Sequence, residues 1–96
     1  MGKKQKAIRS RVLLSAFGKN GEPVEDADIS YDDYYGGMSD LVDSDEYRAE
    51  KGIRSMKGRI FGYKGNLQQE FEAYYDERGR YVRSRAVHED GTVIED

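Results

Sequence analysis

The chain has no cysteine and no tryptophan, one proline, one histidine, and no aliphatic run longer than Val12-Leu13-Leu14. Without cysteine, disulfides and thiolate metal sites are excluded, and a reducing compartment fits. The Val-Leu-Leu run, broken by Ser15, is far short of the ~7–15 apolar residues of a secretory signal or the ~20 of a membrane helix. MGKKQK also lacks the Ser/Thr that a myristoylation signal carries at its sixth position. The expected setting is therefore cytoplasmic, with no membrane involvement.

Catalytic motifs are missing too. No triplet of an acid, any residue and lysine occurs, as a paired-metal nuclease needs. The stretch GKNGEP lacks the spacing and the Lys-Ser/Thr of a phosphate loop. Calcium-loop spacing fails as well. Starting at Asp26 it puts Tyr31 where glycine is required and Gly37 where the bidentate glutamate belongs, and starting at Asp43 it ends on Arg54. His88 stands at an expected strand end with no local nucleophile. No cofactor, no metal and no enzymatic activity are expected.

What is present is charge, unevenly laid out. Residues 1–21 hold six Lys/Arg and no acid, whereas residues 22–50 hold eleven Asp/Glu and Arg48 alone. Residues 51–88 are basic again, and the last eight carry four acids and no base. Such segregation speaks to partners or self-association rather than to fold, and it makes a homodimer plausible. Its core is DADISYDDYYGGMSDLVDSDEY, residues 26–47, with eight carboxylates and four tyrosines.

Ninety-six residues and 36% hydrophobic content make a single small domain with a modest core. The expected fold is α+β. An N-terminal β-hairpin runs KAIRSRVLLSAF, GKNG, EPVEDADIS, with Pro23 near the start of the second strand. Residues 1–6 are expected to be a mobile basic arm, and residues 31–39 an acidic Tyr/Gly loop broken by Gly36-Gly37. Val42, Ala49, Ile53, Met56, Ile60 and Tyr63 then follow helical spacing, which predicts one amphipathic helix over about 40–57. Ser39, Asp40 or Asp43 could cap it, Asp43 with Glu46 resembles a capping box, and Gly58 could stop it.

From Arg59 the pattern is an antiparallel β-meander. The piece YDERGRYVRSRAVHEDG resembles a single YD-repeat unit, which implies a β-hairpin. Asp-x-x-Gly turn chemistry accounts for the same hairpin without a repeat. Two registers compete. A two-residue loop sets Glu72 against Arg83, Glu70 against Arg85 and Tyr74 against Tyr81, over Phe71, Ala73, Val82 and Ala86. A bulged three-residue loop slips the register by one and exchanges the faces. The charge-paired register is the favoured one.

Function follows from the acidic stretch. The expected role is a non-enzymatic protein-binding module whose acidic, Tyr-rich surface engages a basic partner. In its sharpest form it mimics nucleic acid and inhibits a DNA- or RNA-handling protein, a device often encoded by phages or mobile elements. Helical carboxylates three or four residues apart lie about 5–6 Å from one another, comparable with phosphates along a strand. The candidate partner-binding residues are Asp26, Asp28, Tyr31, Asp32, Asp33, Tyr34, Tyr35, Asp43, Glu46, Tyr47 and Glu50. The alternative is direct nucleic-acid binding by Lys3, Lys4, Lys6, Arg9 and Arg11 with Arg78, Arg80, Arg83 and Arg85, interleaved with tyrosines. A third reading is a small accessory protein whose acidic loop is merely solvated.

Overall fold

The computed structural model describes residues 10–96, so the expected arm at 1–6 lies outside the described residues. Six strands form one antiparallel sheet: β1 (Arg11–Phe17), β2 (Pro23–Ser30), β3 (Ser55–Phe61), β4 (Leu67–Tyr75), β5 (Tyr81–His88) and β6 (Val93–Glu95). Their order is β2-β1-β3-β4-β5-β6. Between β2 and β3 the chain makes three short helices, α1 (Tyr31–Tyr35), α2 (Asp40–Asp43) and α3 (Asp45–Lys51), the last two bent apart at Ser44. The fold is thus mixed α+β with a minor helical part, and both the hairpin start and the meander end agree with the sequence pattern.

Every second residue of β1 is buried, and so is every second residue of β3. Val12, Leu14 and Ala16 meet Met56 and Ile60 across the β1–β3 pair, and Leu41 and Ile53 close over them from the helical side. Each of these side chains larger than alanine, fully buried, contributes about 1.5–3 kcal/mol. Ala73 is buried on the same face of β4, and Phe71 and Tyr75 pack against the cluster half-buried. The opposite face of the sheet has no helix over it among the described residues. Beyond β4 the covering ends, and Val82, Val93 and Ile94 are exposed.

The expected helix over 40–57 stops at Lys51. Gly52 adopts φ 72° and ψ 25°, and its amide and that of Ile53 bond back to the last helical carbonyls. This left-handed ending suits glycine, which pays no Cβ penalty there. Met56 and Ile60 therefore lie in β3. Their spacing of four is two strand periods, and the residue between them, Gly58, is itself buried but has no side chain to reveal the alternation. Gly58 does not end a helix. It sits opposite Phe71, whose ring covers it so closely that a methyl group there would overlap the ring.

The segment 31–39, expected as loop, begins with the turn of α1. Ser30 Oγ accepts the Asp33 amide at 3.0 Å and so caps it. In α3 the cap is Ser44, whose Oγ accepts the Tyr47 amide at 3.1 Å. Ser39 makes no side-chain cap bond to α2.

All four hairpins close on the same turn. Gly18 to Glu22, Gly62 to Asn66, Asp76 to Arg80 and His88 to Thr92 are each bridged by an amide-to-carbonyl bond of 2.8–2.9 Å. The third loop residue is always glycine at positive φ: Gly21 (81°), Gly65 (83°), Gly79 (76°) and Gly91 (88°). This is the bulged three-residue loop. In the first three hairpins the register then shifts once more, leaving Val24, Gln68 and Val82 without a cross-strand partner.

Two slips of one residue restore the original faces. Hence β4 and β5 keep Glu72 and Arg85 on one face and Phe71 and Ala86 on the other, as expected, but with different pairs. Glu72 stands against Arg85, Tyr74 against Arg83, and Glu70 against Val87. Val82, expected beneath the sheet, is the bulge residue and is exposed.

Candidate functional site

The acidic stretch is spread over three elements, and the sheet divides it. Asp26 and Asp28 stand opposite Ser15 and Leu13 on β2, so they point to the uncovered face. Asp28 is tied to Arg11, Oδ1 to Nη2 at 2.8 Å. Asp32 and Asp33 follow in the first turn of α1, where carboxylates suit the exposed amides of a helix start. Asp43, Glu46 and Glu50 lie on α2 and α3 on the covered side. The helical side thus gathers Asp32, Asp33, Asp43, Glu46 and Glu50, while Asp26 and Asp28 belong to the other side of the molecule.

On the helical side most of the carboxylates are exposed and, among the described residues, without an ion pair. Asp32, Asp33, Asp40, Asp43, Glu46 and Glu50 are all exposed, and none has an ion pair among the described residues. Asp45 is the exception, bound to Arg48 at 2.6 Å.

The four tyrosines do different work. Tyr34 is half-buried against Phe71, ring centroids 6.2 Å apart, and burial pushes its phenol up to about 12. Tyr31 also packs against the core and stacks at 4.7 Å on Tyr35. Tyr47 reaches from α3 to β2, where its hydroxyl donates to Glu25 Oε1 at 2.6 Å, and that bond raises its pKa. Tyr35 alone is exposed, at 59%, close in sequence to Met38 at 73%.

Arg48, the lone cation of residues 22–50, turns inward. Only 3% exposed, it donates Nε to Gly79 O (2.9 Å) and Nη1 to Leu41 O (2.9 Å) and Val42 O (2.7 Å). Nη2 holds Asp45, and the guanidinium lies 4.3 Å from the Tyr75 ring centroid. One side chain thus ends α2, braces α3 and fastens both to the β4–β5 turn, whose Gly79 leaves no room for a Cβ beside the Asp45 carbonyl. Sequence reasoning noted Arg48 only as an exception; its solitude within an acidic run was the signal.

The uncovered face is charged in stripes. Lys57 pairs with Glu72 (3.7 Å), which stands beside Arg85, and Arg85 pairs with Glu95 (3.1 Å). Arg83 lies 4.5 Å from the Tyr74 ring centroid, and Arg80 bonds Asp76 across the turn. A groove of about 400 Å³ crosses this face, floored by Leu13, Phe17 and Val87. No cluster of three or more His, Asp or Glu among the described residues could hold a metal, and no described helix is long and apolar enough to cross a membrane. No protein-family profile, curated protein or solved structure matches the chain.

Proposed function

We propose that this protein is a non-enzymatic, cytoplasmic binding module whose helical side engages a basic protein surface, in its sharpest form by mimicking nucleic acid. The observation that carries the reading is the set of six exposed carboxylates on α1–α3 without ion pairs among the described residues. Clustered like charge costs stability through self-repulsion, and a basic partner relieves it. Exposed Tyr35 and Met38 supply apolar contact beside the charges, as interface centres do. Asp26 and Asp28 belong to this surface only if the partner wraps around the β2 edge.

Direct nucleic-acid binding draws less from the geometry, because Arg80, Arg83 and Arg85 already have partners within the sheet. One comparison separates the two readings. The unaltered protein and a variant with Asp32, Asp33, Asp43, Glu46 and Glu50 changed to their amides are used for affinity capture from the native host. Both are also titrated with duplex and single-stranded nucleic acid at low salt. Mimicry expects a basic protein retained by the first and lost by the second, with no binding to nucleic acid. Tight, salt-sensitive nucleic-acid binding by the unaltered protein would sink it.

A further inference from the structure

The uncovered end of the helical layer leaves a cleft of about 570 Å³ between α1 and the β5–β6 turn. Tyr31 and Tyr35 form one wall, Glu89 and Asp90 the other, with Gln69, His88 and Ile94 between them, and the His88 imidazole lies close enough to Asp90 to help keep its carboxyl ionised. The tyrosine rings are stacked at 4.7 Å and tilted by 45°, so they offer two π faces at different angles. Burial and the neighbouring Tyr31 raise the Tyr35 phenol, which stays neutral at physiological pH. Across from them Asp90 is kept ionised by the Thr92 hydroxyl and amide, which hold its carboxyl below the usual range. Neither Glu89 nor Asp90 has an ion pair among the described residues. Among the described residues the Glu89 carboxylate accepts only a long 3.4 Å bond from Asn66.

We propose that this cleft receives an arginine side chain of the partner, the guanidinium stacking on Tyr31 and Tyr35 while Glu89 and Asp90 take its N–H groups. The chemistry selects arginine over lysine. A planar fork can stack and bond two carboxylates at once, whereas an ammonium is a strongly hydrated point charge. Ile94 and the aliphatic part of the arginine stem would bury one another. The proposal rests on the reading of the helical side as a surface for a basic protein, and it gives that surface one specific pocket.

The test is a titration of isotope-labelled protein with acetyl-arginine amide, acetyl-lysine amide and the neutral isostere acetyl-citrulline amide. Expected are amide shifts concentrated at Tyr31, Tyr35, Gln69 and residues 89–94, saturating at a Kd of order 1 mM or weaker. Citrulline and lysine should bind several-fold more weakly. Tyr35→Ala should weaken arginine binding about 2- to 5-fold, and Asp90→Asn should do the same. Equal binding of citrulline or lysine overturns the proposal, as do arginine shifts that Tyr35→Ala leaves unchanged.

Glu46→Gln with Glu50→Gln, outside the cleft, separates this idea from the broader one. Arginine binding kept in that variant, with capture of a basic protein absent even from the unaltered chain, leaves the cleft standing without the broader reading. Capture lost with Glu46→Gln/Glu50→Gln but kept with Tyr35→Ala refutes the cleft alone.

Discussion

The two sides of the sheet are both densely charged, yet they are built on different electrostatic plans. On the uncovered side, strands carry opposite signs in succession: Lys57 and Arg59 on β3, Glu70 and Glu72 on β4, Arg83 and Arg85 on β5, Glu95 on β6. Lys57 and Arg59 stand opposite Glu72 and Glu70, and Arg85 stands between Glu72 and Glu95, about 5 Å across the ladder, while Arg83 lies against the Tyr74 ring. On the helical side the acids other than Asp45 face water without an ion pair among the described residues, and the one buried cation among them binds Asp45 and three backbone carbonyls. A sheet can neutralise itself by alternating sign between strands. A short bent helix rich in acids has nowhere to do so, which is why the helical side is the one that gains from an external partner.

Removing Arg48 is the severest way to break this contrast. Arg48→Met strips three carbonyls and Asp45 of their donor in a buried site, and unsatisfied buried acceptors cost about 1–3 kcal/mol each. A loss of about 3–5 kcal/mol is expected in urea unfolding, with amide exchange accelerating first in α2 and α3. Arg48→Lys should recover only part of it, since an ammonium cannot span all four acceptors.

Gly58→Val comes next. It forces a branched side chain under the Phe71 ring, for an expected loss of about 1–3 kcal/mol that Phe71→Ala in the same chain should partly relieve. A smaller effect is expected at the helix cap: Ser44→Ala should cost about 1 kcal/mol, measured by thermal unfolding.

Alkaline titration probes the half-buried phenol. Tyr34 ionises at about 12, against about 10 in the unfolded chain. Its contribution is therefore complete below pH 10 and lost as pH rises through 12. Tyr34→Phe should show less alkaline destabilisation over that window, and ultraviolet absorbance should show one fewer late-titrating tyrosine.

The smallest effects sharpen the contrast itself. A double-mutant cycle on Lys57 and Glu72 should return a favourable coupling below about 1 kcal/mol, as exposed pairs do. Glu50→Gln should shift stability by no more than about 0.5 kcal/mol, in the stabilising direction, and added salt should erase that gain.

Much of this architecture was written in alternation and turn residues. Val12, Leu14 and Ala16 on β1, and Phe71, Ala73 and Tyr75 on β4, mark their inward faces unaided. The glycine-closed hairpins were legible too, although their recurrence at Gly65, Gly79 and Gly91, at intervals of about a dozen residues, passed unread as a repeated turn. β3 was misread because Gly58 hides the alternation and its neighbours mimic helical spacing. The register of β4 and β5 was misread because the turn and the bulge at Val82 each shift it by one, and only their sum preserves the faces. Of the candidate site, the acids were easy to find, but their division between two sides of a sheet depends on the parity of β2 and the path of the chain over it.

By itself the sequence determined the strands with unbroken alternation, the glycine turns and the segregation of charge, because these depend on neighbours within a few residues. Only the tertiary structure decided which charges cancel and which stand alone. Asp28 meets Arg11 and Glu72 meets Lys57 across paired strands, while Asp32, Asp33, Asp43, Glu46 and Glu50 have no ion pair among the described residues. Electrostatic neutralisation is a matter of distances through space, and those are fixed by strand order and register rather than by position along the chain.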